Sequence, residues 1–590
     1  MADGDRVGLR PFLICWALIA AAFAVRAALT AGSTPLILDT DDAMRLTTVH
    51  DLLAGQGWFD HVQHRLNTPY GAEIHWSRLV DAPEVLLLLV LRPLAGPLAD
   101  TILSYVWPLL LLGGLLWLTV RVARHLGGSV SVGPALLLPA GSLITMAEFA
   151  PGRLDHHSVQ ILLALAMAYG TIVAIDRPRA ALLAGVSAGV GIAIGIEALP
   201  VVAATIVAMG LLWVSAERHA AAMRDFGLSF ALTTVLALAI GVAPERWLEP
   251  AADAISATYA LAALLCGGVF LVLSLLRLTS LPARLAVGTI AGAAVLGAVV
   301  ASYPPILRGP YGLLDPWLLA NWIDRISEAE PWIDSFMGEP VYTVAVSVPV
   351  LTAVLVAFWN IDHGPQRRTV WLVYLFFVLV ALCVMALQIR AARIVVPLAT
   401  PACAVLVGAM WQRMVASKGV APILVALGSI VASAGIFVAI VAVIVLAAFP
   451  DYEAATADAY RDDRTACLQP AAFTDLAGLP PERVMAPIDL GSHLLLHTPH
   501  SVVAAPYHRN QQGVLDAFRF FNQPLDEARG ILRQRGIGLV VICPAMHEIR
   551  GLVEHAPDSF VSLYAAGSLP AWLRDVTPAD GPLRVYSVEP

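Results

Sequence analysis

Long apolar runs separated by short polar stretches recur from Pro11 to Leu446, each close to the roughly 20 residues a helix needs to cross a bilayer. They fall near 11–30, 101–120, 130–149, 158–175, 180–197, 200–216, 226–243, 253–276, 284–303, 342–360, 369–388, 394–413 and 420–448. One further run, 83–98, is too short to cross and holds Arg92 and three prolines. Arginine-rich connections stay on the cytoplasmic side, and that rule decides how to treat it. As a span, 83–98 would put Arg121, Arg124 and His125 outside. As a segment in or on the outer leaflet, it leaves every basic cluster between spans on one side. The pattern predicts thirteen transmembrane helices, with the amino end inside and the carboxyl end outside.

The pattern changes near Pro450. Residues 450–590 mix polar and apolar positions, with a strand-like run at Gly538 to Cys543 and helix-like runs at Leu515 to Phe521 and Leu525 to Gln534. The expected architecture is a polytopic α-helical membrane domain, 1–449, followed by a small soluble α/β domain on the outer face, large enough for its own core. Composition agrees: 58% of residues are hydrophobic and 14% charged, with a mean hydropathy of +0.75. Soluble chains carry about 25% charged residues. The net charge of −8 leaves no basic footprint for nucleic acid. Cys15, Cys266, Cys383 and Cys403 fall in spans as apolar filler. Cys467 and Cys543 fall in the outer domain, where an oxidising compartment permits a disulfide without spacing alone requiring one.

The topology sorts the charged residues. Three acidic clusters fall in the outer loops 31–82, 150–157 and 304–341. The first reads Leu38-Asp39-Thr40-Asp41-Asp42-Ala43-Met44-Arg45. Carboxylates this close at a membrane surface repel one another unless a cation or an arginine compensates, and oxygen ligands of this kind suit Mg²⁺ or Mn²⁺. An acidic helix cap accounts for the same pattern equally well. The second is Pro151-Gly152-Arg153-Leu154-Asp155-His156-His157, a carboxylate with imidazoles beside it, either facing an ion or capping a helix. The third is Asp324-Arg325-Ile326-Ser327-Glu328-Ala329-Glu330-Pro331, in a loop whose length marks a functional lid or a linker. Its tryptophans Trp317, Trp322 and Trp332 suit a membrane interface.

Opposite these clusters Arg390 and Arg393 stand at an outer helix junction, against the charge rule. A phosphate would compensate them by paired hydrogen bonds, as would one of the acidic loops. Metal-type ligands and arginines on one membrane face point to phosphate-linked lipid chemistry, in which a cation neutralises a departing phosphate.

These residues resemble the catalytic subunit of oligosaccharyltransferase, in its archaeal and bacterial single-subunit forms, a GT-C type glycosyltransferase. The family carries an aspartate after its first helix and an arginine six residues on, as do Asp39 and Arg45 here. Asn67-Thr68-Pro69-Tyr70-Gly71-Ala72-Glu73-Ile74-His75-Trp76 is similar to its Pro-Tyr-Gly-Ser-x-Ile-His stretch. Asp155-His156-His157, with Gly152 before it, resembles its second acidic motif. Ile326-Ser327-Glu328 resembles the end of its Thr-Ile-x-Glu motif. The resemblance implies thirteen helices and an outer carboxyl-terminal domain. It implies that Asp39, Asp155 and His157 hold a divalent cation, Mg²⁺ or Mn²⁺, and that Glu328 bridges cation and acceptor. Arg390 or Arg393 would bind the donor's diphosphate. The implied reaction is an inverting, metal-assisted transfer from a polyprenyl-diphosphate-linked glycan to an acceptor, outside a bacterial inner membrane.

Three departures fall on the acceptor side. The family's Trp-Trp-Asp-Tyr-Gly is Ala486-Pro487-Ile488-Asp489-Leu490-Gly491 here, Arg325 replaces the motif threonine, and Glu148 replaces an arginine seven residues before Asp155. Arg325, Asp489, His508 and Arg509 are the candidates for acceptor contact, and the acceptor is protein, lipid or glycan. The stretch His493, His497, His500 and Pro506-Tyr507-His508-Arg509-Asn510 has no standard zinc spacing. The missing tryptophans keep a second reading open: a monosaccharide transferase using a polyprenyl-monophosphate sugar. A transporter or flippase fits poorly, because the charges gather at one face and no halves repeat.

Overall fold

The computed structural model describes residues 8–364, 367–447, 464–546, 549, 555–578 and 581–589. Its first part is a helical bundle. In chain order the helices are α1 (Leu9–Thr30), α2 (Thr40–Leu53), α3 (Arg78–Ala95), α4 (Ala99–Gly127), α5 (Val132–Leu137), α6 (Leu143–Glu148), α7 (His157–Ala174) and α8 (Ala181–Ile194). They continue as α9 (Leu199–Ser215), α10 (Ala220–Gly241), α11 (Ala257–Leu275), α12 (Leu281–Ser302), α13 (Pro316–Asn321), α14 (Trp332–Gly338), α15 (Pro340–His363), α16 (Arg368–Leu387) and α17 (Ala392–Ala416). Last come α18 (Val420–Ser433) and α19 (Gly435–Leu446). This is a multi-pass membrane protein.

Among the described residues ten helical runs are long and apolar enough to cross a membrane, or eleven if α18 and α19 form one span. Three of the thirteen expected runs differ from single straight helices. Residues 130–149 form the short α5 and α6 with a 3₁₀ turn between them, because Pro134, Pro139 and Gly141 interrupt the helix. Residues 180–197 form a helix one turn short, stopped where Gly195 is extended. Residues 420–446 bend by 96° between α18 and α19. Residues 83–95 of the segment 83–98 lie in α3, which starts earlier than expected at Arg78, and Gly96–Leu98 form the short turn into α4. Helix α3 buries Arg78, Asp81 and Glu84 and exposes Leu86, Leu89, Val90 and Leu94.

Close helix contact follows from small residues. A Cβ on Gly185 of α8 would fall 2.0 Å from the Ser229 hydroxyl on α10, so only glycine permits this crossing.

The carboxyl-terminal part carries a five-stranded sheet. With β1 (Val62–Gln63) and β2 (Ala72–Glu73) forming a hairpin in the first long loop, the sheet strands are β3 (Arg483–Met485), β4 (Ser501–Val502), β5 (Leu539–Ile542), β6 (Leu573–Asp575) and β7 (Arg584–Val588). Their order is β4-β3-β5-β7-β6; the first three are parallel, and β7 runs antiparallel to β5 and β6. Leu539 to Ile542 are all buried, as a continuous apolar run in a central strand should be. Helices α20 (Ile488–His497), α21 (Gln511–Asn522) and α22 (Leu525–Arg535) accompany the sheet, the last two close to the expected runs. Cys467 and Cys543 are joined by a disulfide. The boundary expected near residue 450 lies outside the described residues.

This part does not fold against itself alone. Met44, Leu66, Ile74 and Trp76 share one apolar cluster with Val484, Leu494 and Val541. Leu314, Leu318, Trp322 and Ile323 share another with Met485, Phe518 and Ile542. Trp317 also packs on Phe518, so two of the three tryptophans expected as interface anchors instead face the carboxyl-terminal domain. The polar links repeat the pattern. Arg65 donates to the carbonyls of Leu495 and Thr498 at the end of α20, at 2.7 and 2.9 Å, and Arg535 donates to the Thr68 carbonyl at 2.8 Å. The long loops are thus fixed between bundle and domain.

Candidate functional site

Four chain segments converge at this junction. Asp39 caps α2, accepting from the Asp41 backbone amide at 2.9 Å. The loop before α7 approaches it through Gly152, whose φ is +97° and whose added Cβ would fall 1.8 Å from the Leu36 carbonyl. No side chain fits there. Asp42 fixes the same loop from the other side, accepting from the amides of Leu154 and Asp155 at 2.7 and 2.8 Å. The start of α17 and the turn at Ser327–Ala329 supply Arg393 and Glu328.

The charges form one network. Arg153 Nη1 lies 2.7 Å from Asp39 and 3.0 Å from Asp42, and its Nη2 lies 3.3 Å from Glu148. Arg393 reaches Glu148 at 3.0 Å, His157 Nε2 at 2.8 Å, and Glu328. Asp155 contacts His156 through one oxygen and faces His157 Nε2 at 3.2 Å with the other. Arg45, buried over the face of Trp76, is held by Asp81 and lies 3.7 Å from Asp155. Asp39, Asp155, His157, Glu328 and Arg393 are therefore brought together. Arg390 stands aside, donating to Gln388 at 3.1 Å and touching Tyr311.

The electrostatics outside the membrane spans follow from this crowding. Burial raises the Asp39 carboxyl, but Arg153 more than offsets it and holds it below its ordinary value. Asp41 is pushed well above the usual carboxylate range, first by burial and then by Asp155, Asp39 and Asp42 around it. Asp155 is held well below that range, because His156 and His157 outweigh its burial.

Asp155, His156 and His157 offer three ligand atoms within 4.8 Å of one another, the group of metal-binding type among the described residues. Asp155 Oδ2 is buried and accepts no hydrogen bond. A buried carboxylate oxygen left open beside imidazoles fits a divalent cation. One carboxylate with two imidazoles suits Mn²⁺ better than Mg²⁺, which prefers an all-oxygen shell. His156 was not among the expected ligands, whereas Asp39 and Glu328 sit on Arg153 and Arg393 instead.

The candidates for acceptor contact separate. His508 and Arg509 both bind Asp253, at 2.7 Å each, and Arg509 also reaches Glu73 at 2.9 Å. Arg246 completes the cluster on Glu73 at 2.8 Å. These two residues clamp the carboxyl-terminal domain to the loop before α11 and do not form an open surface. Arg325 is exposed, and Asp489 lies half-buried in the first turn of α20. The other histidines are packing residues: His500 is buried against the Leu476 carbonyl at 2.9 Å, and His497 stacks on Phe473.

Several residues of the site were not anticipated. Arg153 is one, and Glu148 is another, since it binds both Arg153 and Arg393. His75 is half-buried with its Nδ1 enclosed and without a hydrogen-bond partner, and burial first, then His508, pushes it down to about 3. Glu197 accepts from Gln160 at 3.0 Å and faces His156. A lone carboxylate after Gly195, between two apolar runs, was a legible signal for it.

No family sequence model matches the chain, and no curated protein matches it by sequence. Solved structures do. The archaeal oligosaccharyltransferase AglB from Archaeoglobus fulgidus, in complex with an inhibitory peptide and a dolichol-phosphate, superposes with a TM-score of 0.63 at 12% identity. The match covers 96% of this chain and 72% of that one. The same archaeal enzyme tethered to an acceptor peptide containing the NVT sequon gives 0.63 at 13% identity, over 99% of this chain and 74% of that one. Its complex with Zn and sulfate gives 0.55 at 13%, over 90% and 67%. The fold is that of these archaeal oligosaccharyltransferase structures, a polytopic helical bundle with a carboxyl-terminal domain. At this identity the likeness establishes architecture, and the chain is a divergent example of it.

Proposed function

We propose that this chain is a membrane glycosyltransferase that moves a glycan from a polyprenyl-diphosphate carrier to an acceptor, at the membrane face bearing the carboxyl-terminal domain. The charge rule supports reading that face as the non-cytoplasmic one, and the proposal sets it in a bacterial inner membrane. The observation carrying the proposal is the Asp155–His157–Arg393–Glu328 chain of contacts beside Asp39, at a membrane-surface junction. The solved relatives bound to a dolichol-phosphate and to an acceptor peptide support the two partner classes.

Asp155, His156 and His157 would hold the divalent cation, with Asp39 and Glu328 across the site on Arg153 and Arg393. When bound, it would neutralise charge on the departing phosphate. Arg393 supplies fixed positive charge beside Asp155 and His157, suited to the diphosphate by paired hydrogen bonds, while Arg390 stands aside on Gln388. Glu328 orients the acceptor and takes its proton. The acceptor's nucleophilic atom bonds to the anomeric carbon from the face opposite the leaving group. The carbon–oxygen bond to the diphosphate then breaks, and the diphosphate carries away the electron pair. A fixed array of charges spares the reaction the reorganisation that water would require.

A second reading keeps the site and changes the cargo: a single sugar from a polyprenyl monophosphate. The segment Ala486–Gly491 favours it, because both tryptophans are absent there. Purified protein incubated with each lipid-linked sugar, followed by mass analysis of the acceptor, decides between them. Transfer of an oligosaccharide supports the first reading, and a single hexose supports the second. No transfer from either donor rejects both.

A further inference from the structure

Resting on the cation reading above, we infer that Arg153 is a tethered cation that occupies the Asp39–Asp42 half of the site and competes with the divalent ion for those carboxylates. One nitrogen, Nη1, lies 2.7 Å from Asp39 Oδ2 and 3.0 Å from Asp42 Oδ2. A positive nitrogen shared by two carboxylates cancels their repulsion as a bridging ion does. Its position is enforced, because the neighbouring Gly152 is locked against the Leu36 carbonyl and Asp42 holds the next two backbone amides. Glu148 anchors the other arm of the guanidinium at 3.3 Å.

The opposite half is built differently. Asp155 is 2% exposed, and its Oδ2 accepts no hydrogen bond while facing His157 Nε2. The site is therefore divided into an acidic half closed by an arginine and an Asp–His half with an open donor atom. An ion in the open half feels the nearby charge of Arg153 and gains no ligand from Asp39 until the arginine leaves.

The full chain in detergent, titrated with Mn²⁺ alone and followed by the paramagnetic signal of the free ion, tests this without any turnover. Arg153→Gln is expected to tighten Mn²⁺ binding about tenfold, the scale of removing one charge at this range. Asp39→Asn in the Arg153→Gln background is expected to erase that gain. In the wild-type background Asp39→Asn should change affinity less than about threefold, against at least about tenfold for Asp155→Asn. Arg153→Lys, which keeps the charge, should stay near wild type. The inference is overturned if Arg153→Gln weakens binding or leaves it unchanged, or if Asp39→Asn costs the wild type as much as Asp155→Asn. Either result leaves the cation reading standing. Mn²⁺ binding by neither wild type nor Arg153→Gln would remove that reading together with the inference. Should Arg153→Gln fail to purify as a single species, the contrast between Asp39→Asn and Asp155→Asn decides alone.

Discussion

Two arginine–carboxylate clusters sit at the junction of bundle and carboxyl-terminal domain, and they are balanced differently. At the clamp, Glu73, Asp253 and Glu249 face Arg246, Arg509 and His508. Acid and base match, every carboxylate has a partner, and Asp253 is gripped by two side chains. At the candidate site, Asp39, Asp41, Asp42, Glu148, Asp155 and Glu328 face Arg153, Arg393, His156 and His157, with Arg45 shared with Asp81. The excess is acidic, and a buried oxygen of Asp155 stays open. A matched cluster is a fastener. An unmatched one stores negative potential for a ligand that neutralises it, and that contrast separates function from adhesion where residue types alone do not.

The contrast is broken most directly at Asp155. Asp155→Asn should lower sugar transfer by about 10²–10³-fold, on the scale of removing one preorganised electrostatic group, with the protein still purifying as a folded membrane species. Activity within about tenfold of wild type would make the acidic excess structural. Chelation should abolish transfer, and Mn²⁺ should restore more of it than Mg²⁺, since two imidazoles join the donor set. Equal rescue by both ions would point to an all-oxygen shell instead.

Arg45 tests the boundary between the two kinds of cluster. It is 1% exposed between Asp81 and Asp155, so Arg45→Ala leaves uncompensated buried charge and should destabilise the protein by about 3–5 kcal/mol. Thermal unfolding in detergent measures it.

The clamp should give the smallest effect. Asp253→Asn is expected to lower transfer only a few-fold while speeding proteolysis of the carboxyl-terminal domain. Burial raises the Asp253 carboxyl, but His508 and Arg509 more than offset it, holding it far below its unfolded value. Its contribution is therefore fully present above the unfolded value of about 4 and is lost only as pH falls through the depressed one. Proteolysis rates should be flat from pH 9 to pH 5 in the wild type. A rise within that window would mean that the clamp does not rest on the aspartate.

Much of the architecture was readable as pattern. Apolar runs and the placement of arginines located the bundle, and the run Gly538 to Cys543 located the central strand, because burial on both faces demands continuous apolar residues. The acidic motifs lie in loops that the structure brings to one junction. Less was readable in the helix count, where prolines and glycines at 134, 139 and 141 broke one expected span, a matter of local geometry that hydropathy does not register. The roles within the charged groups were least readable. Arg509 and Arg153 look alike in the chain, yet one fastens a domain and the other sits among excess carboxylates.

The sequence by itself determined what had to be buried in lipid, which segments had to remain polar, and that carboxylates and arginines would gather on one face, since transfer free energies depend on residue type and order alone. Only the tertiary structure decided which charge meets which. Asp39 and Arg153 are 114 residues apart, and Arg509 lies 256 residues from Asp253. Pairing across such distances depends on the path of the backbone, on a glycine pressed against the Leu36 carbonyl and on a domain seated over the loops, none of which a local pattern can express.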